Sequence, residues 1–225
     1  HRRRAAHGKR PKQTVIARLR TVPGAREREC CLTPPTIRTV AAADESAAIA
    51  TIALAFATDP VARWTWPRSG DYLAAMPDFV RVFGGKAFTS GTAWCTDACT
   101  GAALWLPPGV APDDQKLADL MQATVAPAVL GDIAGAFEQM MKYHPPEPHW
   151  YLPLIGVDPA HQGKGHGHAL MAHALAQCDR ERMPAYLEST NPRNMSLYLR
   201  HGFEPLGMIE IGSAPPLVPM VRRPR

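Results

Sequence analysis

The chain has 225 residues, 46% of them apolar and 20% charged, with a formal net charge of +5. That balance excludes a chain disordered throughout and suffices for one full hydrophobic core. Residues 1–30 hold ten of the 25 Lys and Arg against Glu27 and Glu29, a net of +8 that leaves residues 31–225 at −3, so the basic pI of 9.1 does not give the domain a nucleic-acid footprint.

Residues 1–34, with Arg2-Arg3-Arg4, Lys9, Arg10, Lys12, Arg18 and Arg20, read as a solvated, disordered leader; a basic arm on an acidic surface is the alternative. The chain begins at His1 rather than Met, which fits a fragment edge, an upstream extension or a cloning remnant. No apolar run in the leader is long enough for a signal peptide or a membrane span. Residues 35–225 are expected to form a single domain. The five cysteines (Cys30, Cys31, Cys95, Cys99, Cys178) are odd in number and irregularly spaced, which suits free thiols in a reducing, cytoplasmic setting. Cys95 and Cys99 are too isolated from other thiols for zinc, and no metal site is expected.

Thr36–Val40 reads as a first strand, and Asp44 as the N-cap of a helix over Glu45–Ala57 that Asp59-Pro60 stops. Val61–Ser69, crowded with Trp64, Trp66 and Pro67, reads as a loop and a pocket wall. A helix over Tyr72–Phe83, entered or interrupted at Pro77, ends at Gly84-Gly85. Two short strands, Thr92–Cys95 and Ala102–Leu106, are joined by the polar turn Thr96–Thr100. Asp113–Leu130 and Gly135–Tyr143 are predicted helices of a central insertion. Trp150–Val157 is an almost continuous apolar strand, as expected where both sheet faces are covered, and Pro153 demands an irregularity in it. A helix from Gly167 shows Leu170, Met171, Ala174, Leu175 and Cys178 on one face. Ala185–Glu188 is a strand, Asn191–Arg200 a helix closed by Gly202, and Glu204–Ile211 and Leu217–Val221 are final strands. The alternation gives an α/β (α+β) three-layer domain around a central sheet.

Between that apolar strand and the helix lies Gln162-Gly163-Lys164-Gly165-His166-Gly167. Glycines there let several backbone N–H groups converge on one anion, and the helix adds the positive end of its dipole, so the run describes a pyrophosphate cradle. A dinucleotide fingerprint lacks its third glycine, since Leu170 stands at that spacing, and no Gly-Lys-Ser/Thr of a phosphate loop is present. The nearby His161, His166, His168 and His173 have no carboxylate or thiol to complete a metal ligand set.

The run resembles the signature Q/R-x-x-G-x-G/A of the GCN5-related N-acetyltransferase (GNAT) superfamily. A second superfamily element, an Asn with a Tyr seven residues on and then Gly-Phe, is present as Asn191, Tyr198 and Gly202-Phe203. The resemblance is strong over residues 147–205 and extends by element order back to Thr36. In the cofactor half, Glu147–Leu152, Gly156–Gly165, Pro184–Ser189 and Pro192-Arg193-Asn194 look most like puromycin N-acetyltransferase and its relatives.

The resemblance implies a mixed central sheet with a splayed cofactor strand, helices on both faces, acetyl-CoA as co-substrate, and acetyl transfer to a primary amine by direct attack on the thioester. It implies cofactor contacts from Ile155, Gly156 and Val157, with the N–H of Ile155 or Gly156 polarising the carbonyl. Gln162, Gly163, Lys164, Gly165, His166, Gly167 and His168 are expected at the pyrophosphate, Asn191 at the pantetheine arm and Asn194 with it. Tyr198 is the expected general acid. Glu188, at the end of a strand beside the cofactor strand, is the candidate general base, with His149 and Glu147 as further candidates. Trp64, Trp66, Trp150 and His149 are expected around the acceptor, a small-molecule amine such as an antibiotic or toxic metabolite. A CoA-binding module without catalysis and a protein or peptide N-acetyltransferase are the competing functions. No membrane or nucleic-acid partner is expected, and the oligomeric state is left open.

Overall fold

A computed structural model describes residues 35–225, so the predicted leader, with Cys30 and Cys31, lies outside the described residues. In chain order the elements are β1 (Ile37–Thr39), α1 (Glu45–Ala55), α2 (Pro60–Thr65), α3 (Ser69–Gly84), α4 (Lys86–Thr89), β2 (Ala93–Thr96), β3 (Gly101–Leu106), α5 (Asp114–Thr124) and α6 (Pro127–Tyr143). There follow β4 (Trp150–Val157), α7 (His166–Arg180), β5 (Ala185–Ser189), α8 (Met195–Arg200), β6 (Glu204–Pro205) and β7 (Val218–Arg222). No helix among the described residues is long and apolar enough to cross a membrane.

All seven strands join one sheet in the order β1-β2-β3-β4-β5-β7-β6, antiparallel except for β4 against β5. Two cores lie on its faces. Ile49, Ile52, Tyr72, Met76, Val80 and Leu154 pack on the face covered by α1, α3, α5 and α6. Leu152, Leu170, Met171, Ala174, Leu187, Tyr198 and Phe203 pack on the face covered by α7 and α8. Arg222, 4% exposed, forks onto Asp179 through two bonds of 2.8 Å and donates to the His201 carbonyl at 2.9 Å, tying β7 to the end of α7.

Several boundaries differ from the sequence expectation for identifiable reasons. Asp44 precedes α1 but its side chain makes no cap bond; it pairs with Arg38 at 2.8 Å instead. Asp59-Pro60 does more than stop a helix. The Asp59 carboxylate accepts the amides of Val61 and Ala62, Pro60 takes the first helical position, and the expected loop becomes α2. Helix α3 runs through Pro77, whose missing N–H deprives only the carbonyl of Leu73, a residue 69% exposed to water. The insertion breaks before Pro127, where Ala126 is extended, rather than at residues 131–134. The expected strand Glu204–Ile211 keeps two residues plus an isolated bridge from Ile209 to Leu217.

Candidate active site

Strand β4 is shared unequally between its neighbours. It pairs with β5 only from Trp150 to Leu152, and with β3 as far as Val157. Between the pairs Leu104↔Leu154 and Leu106↔Tyr151, β4 spends two residues, Leu152 and Pro153, against Trp105 alone, which is a bulge. Pro153 has no N–H to offer a ladder, so the parallel pairing stops there and the strands fork.

The alternation of the β3–β4 ladder decides which groups face the open side. The Asp158 N–H bonds the Thr100 carbonyl at 2.9 Å, which makes that pair, and by alternation Gly156 with Ala102, hydrogen-bonded pairs. Ile155 and Val157 therefore turn their N–H and C=O groups into the fork; Gln162 Nε2 indeed donates to the Val157 carbonyl at 3.1 Å. Of the two amides expected to polarise a carbonyl, only that of Ile155 faces the open side. Gly156 serves by its small size: a Cβ there would stand 2.8 Å from Ala55 Cβ and 3.0 Å from Ile52 Cα, so α1 closes directly on β4.

At the end of β4 the chain turns through Asp158–His161 into the cradle. Gly163 and Gly165 have φ of +74° and +87°, a conformation that turns successive amides outward, and a Cβ on either would meet only open space. The amides from Gly163 to His168 make no hydrogen bond to a described residue, and the first bond of α7 is Ala169 N–H to the Gly165 carbonyl at 2.9 Å. These donors, with the positive end of a 15-residue helix behind them, fit a pyrophosphate. Lys164 Nζ rests on the Ala160 carbonyl at 2.8 Å, within the same loop. His166 is held by Thr100 Oγ at 3.2 Å, so the turn between β2 and β3 steadies the cradle. Sequence reasoning passed over Thr100, which only the pairing of β3 with β4 brings near.

His168 leans on His201, Nδ1 to Nε2 at 3.1 Å, and burial, with His168 adding, holds His201 down to about 4. The unfolded chain titrates this group near 6.5, so its contribution to stability is complete above that pH and is lost as pH falls through about 4. We expect the melting temperature to decline across that window and His201→Gln to flatten the decline, as followed by thermal melts at stepped pH.

On the far arm of the fork, Asn191 caps the turn Pro192–Asn194, accepting the Arg193 amide at 3.1 Å, and Asn194 is exposed at the head of α8. Tyr198 is 5% exposed, and its hydroxyl bonds no described residue. Burial first, and the Asp59 charge second, hold its phenol above the ordinary range, so it carries its proton throughout the physiological pH span. Asp59 is a site residue that sequence reasoning used only as a helix stop. It is 5% exposed, accepts from Thr190 Oγ1 at 2.6 Å, and burial raises its own pKa. The Asp-Pro dipeptide was a sufficient signal for a helix start, but not for a carboxylate at the fork.

Glu188 is the first β5 residue beyond the last β4–β5 pair, on the sheet face opposite α7. Its carboxylate accepts from Tyr151 Oη at 2.9 Å and faces His144 Nε2 at 3.5 Å. Burial and this carboxylate together keep the Tyr151 and Tyr186 phenols protonated. His144 Nδ1 lies 3.0 Å from His149 Nε2, and His149 Nδ1 lies 2.8 Å from the Glu147 carbonyl. A carbonyl only accepts, which assigns the proton of His149 to Nδ1 and leaves Nε2 to accept from His144. With Nδ1 turned to His149, it is Nε2 of His144 that faces Glu188. Glu147 itself is turned outward to Arg223.

Two cavities adjoin this face. One of about 100 Å³ reaches the fork at Pro153, Leu154, Asp59 and Thr190, with Trp64 and Trp66 in its wall. The other, of about 970 Å³, lies under α5 and α6 and includes His144, His149 and Tyr151. Trp64 Nε1 donates to Ser213 Oγ at 3.2 Å, and Ser213 in turn to Asp132 on α6, so the tryptophan buttresses one side. Trp150 is not brought to the acceptor side. It stands on the other sheet face, tilted against Trp94 and bonded to Glu181 at 2.7 Å, because alternation along β4 turns it away from Tyr151.

A forked parallel pair, an amide cradle at the head of the following helix, and a protonated tyrosine on the opposite arm define the GNAT class of N-acetyltransferases. Residues 101–203, a little under half of the chain, match the acetyltransferase (GNAT) family model, which assigns that segment to the GNAT N-acetyltransferases. An uncharacterised N-acetyltransferase of Schizosaccharomyces pombe is 35% identical over 78 residues, 33% of this chain and 32% of the relative, so the matching segment spans about a third of that protein's length. Among solved structures, a Corynebacterium glutamicum protein of the histone acetyltransferase HPA2 and related acetyltransferase group superposes with a TM-score of 0.62 at 25% identity, covering 85% of this chain and 97% of that one. Two further structures share the fold, each covering 84% of this chain and 99% of the other at 12% identity. They are a Drosophila melanogaster polyamine N-acetyltransferase (TM-score 0.59) and arylalkylamine N-acetyltransferase 2 of Aedes aegypti (TM-score 0.61).

Proposed function

We propose that this protein transfers the acetyl group of acetyl-CoA to a primary amine of a small molecule, by direct attack of the amine on the thioester. The observation that carries the reading is the fork itself, with the Ile155 amide on one arm and the Tyr198 hydroxyl on the other. Acetyl-CoA, when bound, supplies an activated thioester carbonyl. The cradle Gln162–His168 is suited to its pyrophosphate and the Asn191 segment to its pantetheine arm. The Ile155 N–H is placed to receive charge growing on the carbonyl oxygen, and Tyr198 to return a proton to the departing sulfur. Glu188 accepts the proton of the amine, and His144, whose Nε2 faces it at 3.5 Å, links it to the larger cavity. Direct attack is favoured over an acyl-cysteine because burial pushes the Cys95 and Cys178 thiols up to about 12.

A small acceptor is favoured over a peptide by the contact of Trp64 with Ser213, which closes one side of the fork cavity. The likeness of the cofactor half to puromycin-acetylating proteins makes puromycin a natural first acceptor, and the buried thiols suit a cytoplasmic setting. The test is a melting curve with acetyl-CoA and a free-thiol assay over an amine panel that includes puromycin and aminoglycosides. A rise in melting temperature and thiol release with some amines is expected; a rise without release for any acceptor means a CoA-binding module instead. Glu188→Gln is expected to lower kcat/KM by about 100-fold, with the acetyl-CoA shift kept.

A further inference from the structure

The cavity under α5 and α6 is far larger than an amine needs. At about 970 Å³ it has the size of sites that enclose whole drug-sized ligands, whereas the fork cavity of about 100 Å³ has room only for an amine and its first carbons. Phe83, Met121, Ile133, Phe137 and Met140 line both, so the partition between them is made of side chains. Two of the five are methionines, which re-pack at little cost.

The chemistry of the larger cavity is one-sided. Its walls are apolar, with Leu117, Leu130 and Met141 completing the set, and no Lys or Arg lines it among the described residues. Its charged members are the carboxylates Asp114, Glu138 and Glu147. Glu138 and Glu147 are bound to Lys142 and Arg223, while Asp114 pairs with no described cation. Such a site draws cations to its rim and repels carboxylates. It penalises a second or third ammonium buried against Leu and Met, because an unpaired charge in apolar surroundings is costly.

Resting on the acetyltransferase reading above, we infer that this cavity holds the body of the acceptor, and that the acceptor class is a monoamine carrying a bulky apolar group. The amine sits in the fork cavity beside Asp59 and Thr190, and the apolar body passes the methionine partition to lie between α5 and α6, the cavity that Tyr151 and His144, the partners of Glu188, also line. Polyamines and amino acids are excluded by the same walls.

The experiment uses the full chain with 4-phenylbutylamine, methylamine, spermidine and the unreactive 4-phenylbutyl-trimethylammonium. Ala134, exposed on α6 at the cavity wall, is replaced by Trp to fill the space; Ala118→Trp on α5 does the same from the other side. Phenylbutylamine is expected to be the best of the three substrates. Either filling variant should raise its KM at least about tenfold more than that of methylamine. The quaternary ion should raise the melting temperature of the wild type without acetyl-CoA, and not that of the variants, while an acetyl-CoA shift in the variants confirms that they fold. Preference for spermidine, or equal KM changes for the two monoamines, overturns the inference and leaves the acetyltransferase reading standing. If no amine releases thiol, that reading falls, and absence of a shift with the quaternary ion then removes the cavity assignment as well.

Discussion

Tyr198→Phe should lower kcat by about 100-fold or more while leaving the acetyl-CoA melting shift nearly intact. The expectation follows from what the hydroxyl does and does not touch. It bonds no described residue, so its removal breaks no structural hydrogen bond, and the ring keeps its place in the core against Phe203, 6.2 Å away. Burial and Asp59 hold the phenol protonated, which is the state an acid must be in before the thiolate leaves. Loss should therefore fall on kcat and not on cofactor binding. Full turnover by the variant would take Tyr198 out of the acid role. A proportional loss of the acetyl-CoA shift would instead show that the ring, not the proton, was what mattered.

Gly156→Val is the second large effect, and it reaches activity through packing. The new Cβ would stand within 3.0 Å of α1 at both Ala55 Cβ and Ile52 Cα, and the Ile52 contact is backbone that cannot swing aside. Overpacking of this kind costs about 1–3 kcal/mol, or roughly 2–12 °C in melting temperature for a domain of this size. Strand and helix must separate at the residue next to Ile155, whose amide faces the fork. The rate at 20 °C, well below melting, should then fall further than any unfolded fraction explains, since small displacements of positioned groups are expensive in catalysis. Unchanged kcat at that temperature would detach the Ile155 amide from the reaction.

Much of this was legible in the residues because local rules carried it. The spacing of Leu170, Met171, Ala174, Leu175 and Cys178 placed the buried face of α7, and all five are buried. Pro153 foretold an irregularity, and the bulge and the end of the parallel ladder both occur there. The elements misread were those where two local signals compete. Asp59-Pro60 ends one helix and starts another within two residues, and Pro127 outweighs Gly131 and Gly135 as the break in the insertion.

The cradle is a continuous motif whose anion chemistry depends on residue type and spacing, and together with Asn191 and Tyr198 it carried the resemblance to the GNAT superfamily that implied a CoA thioester and its acid. The convergence of groups far apart in the chain was not available there. Asp59 meets Thr190 across 131 positions, Tyr151 meets Glu188 across 37, and His144 joins them from the end of the insertion. Which of two adjacent amides faces the fork, and that Trp150 turns away from the acceptor while Tyr151 turns toward it, follow from the register of β3 on β4. Register is set by pairing across the sheet, a long-range event with no signature in the strand's own composition.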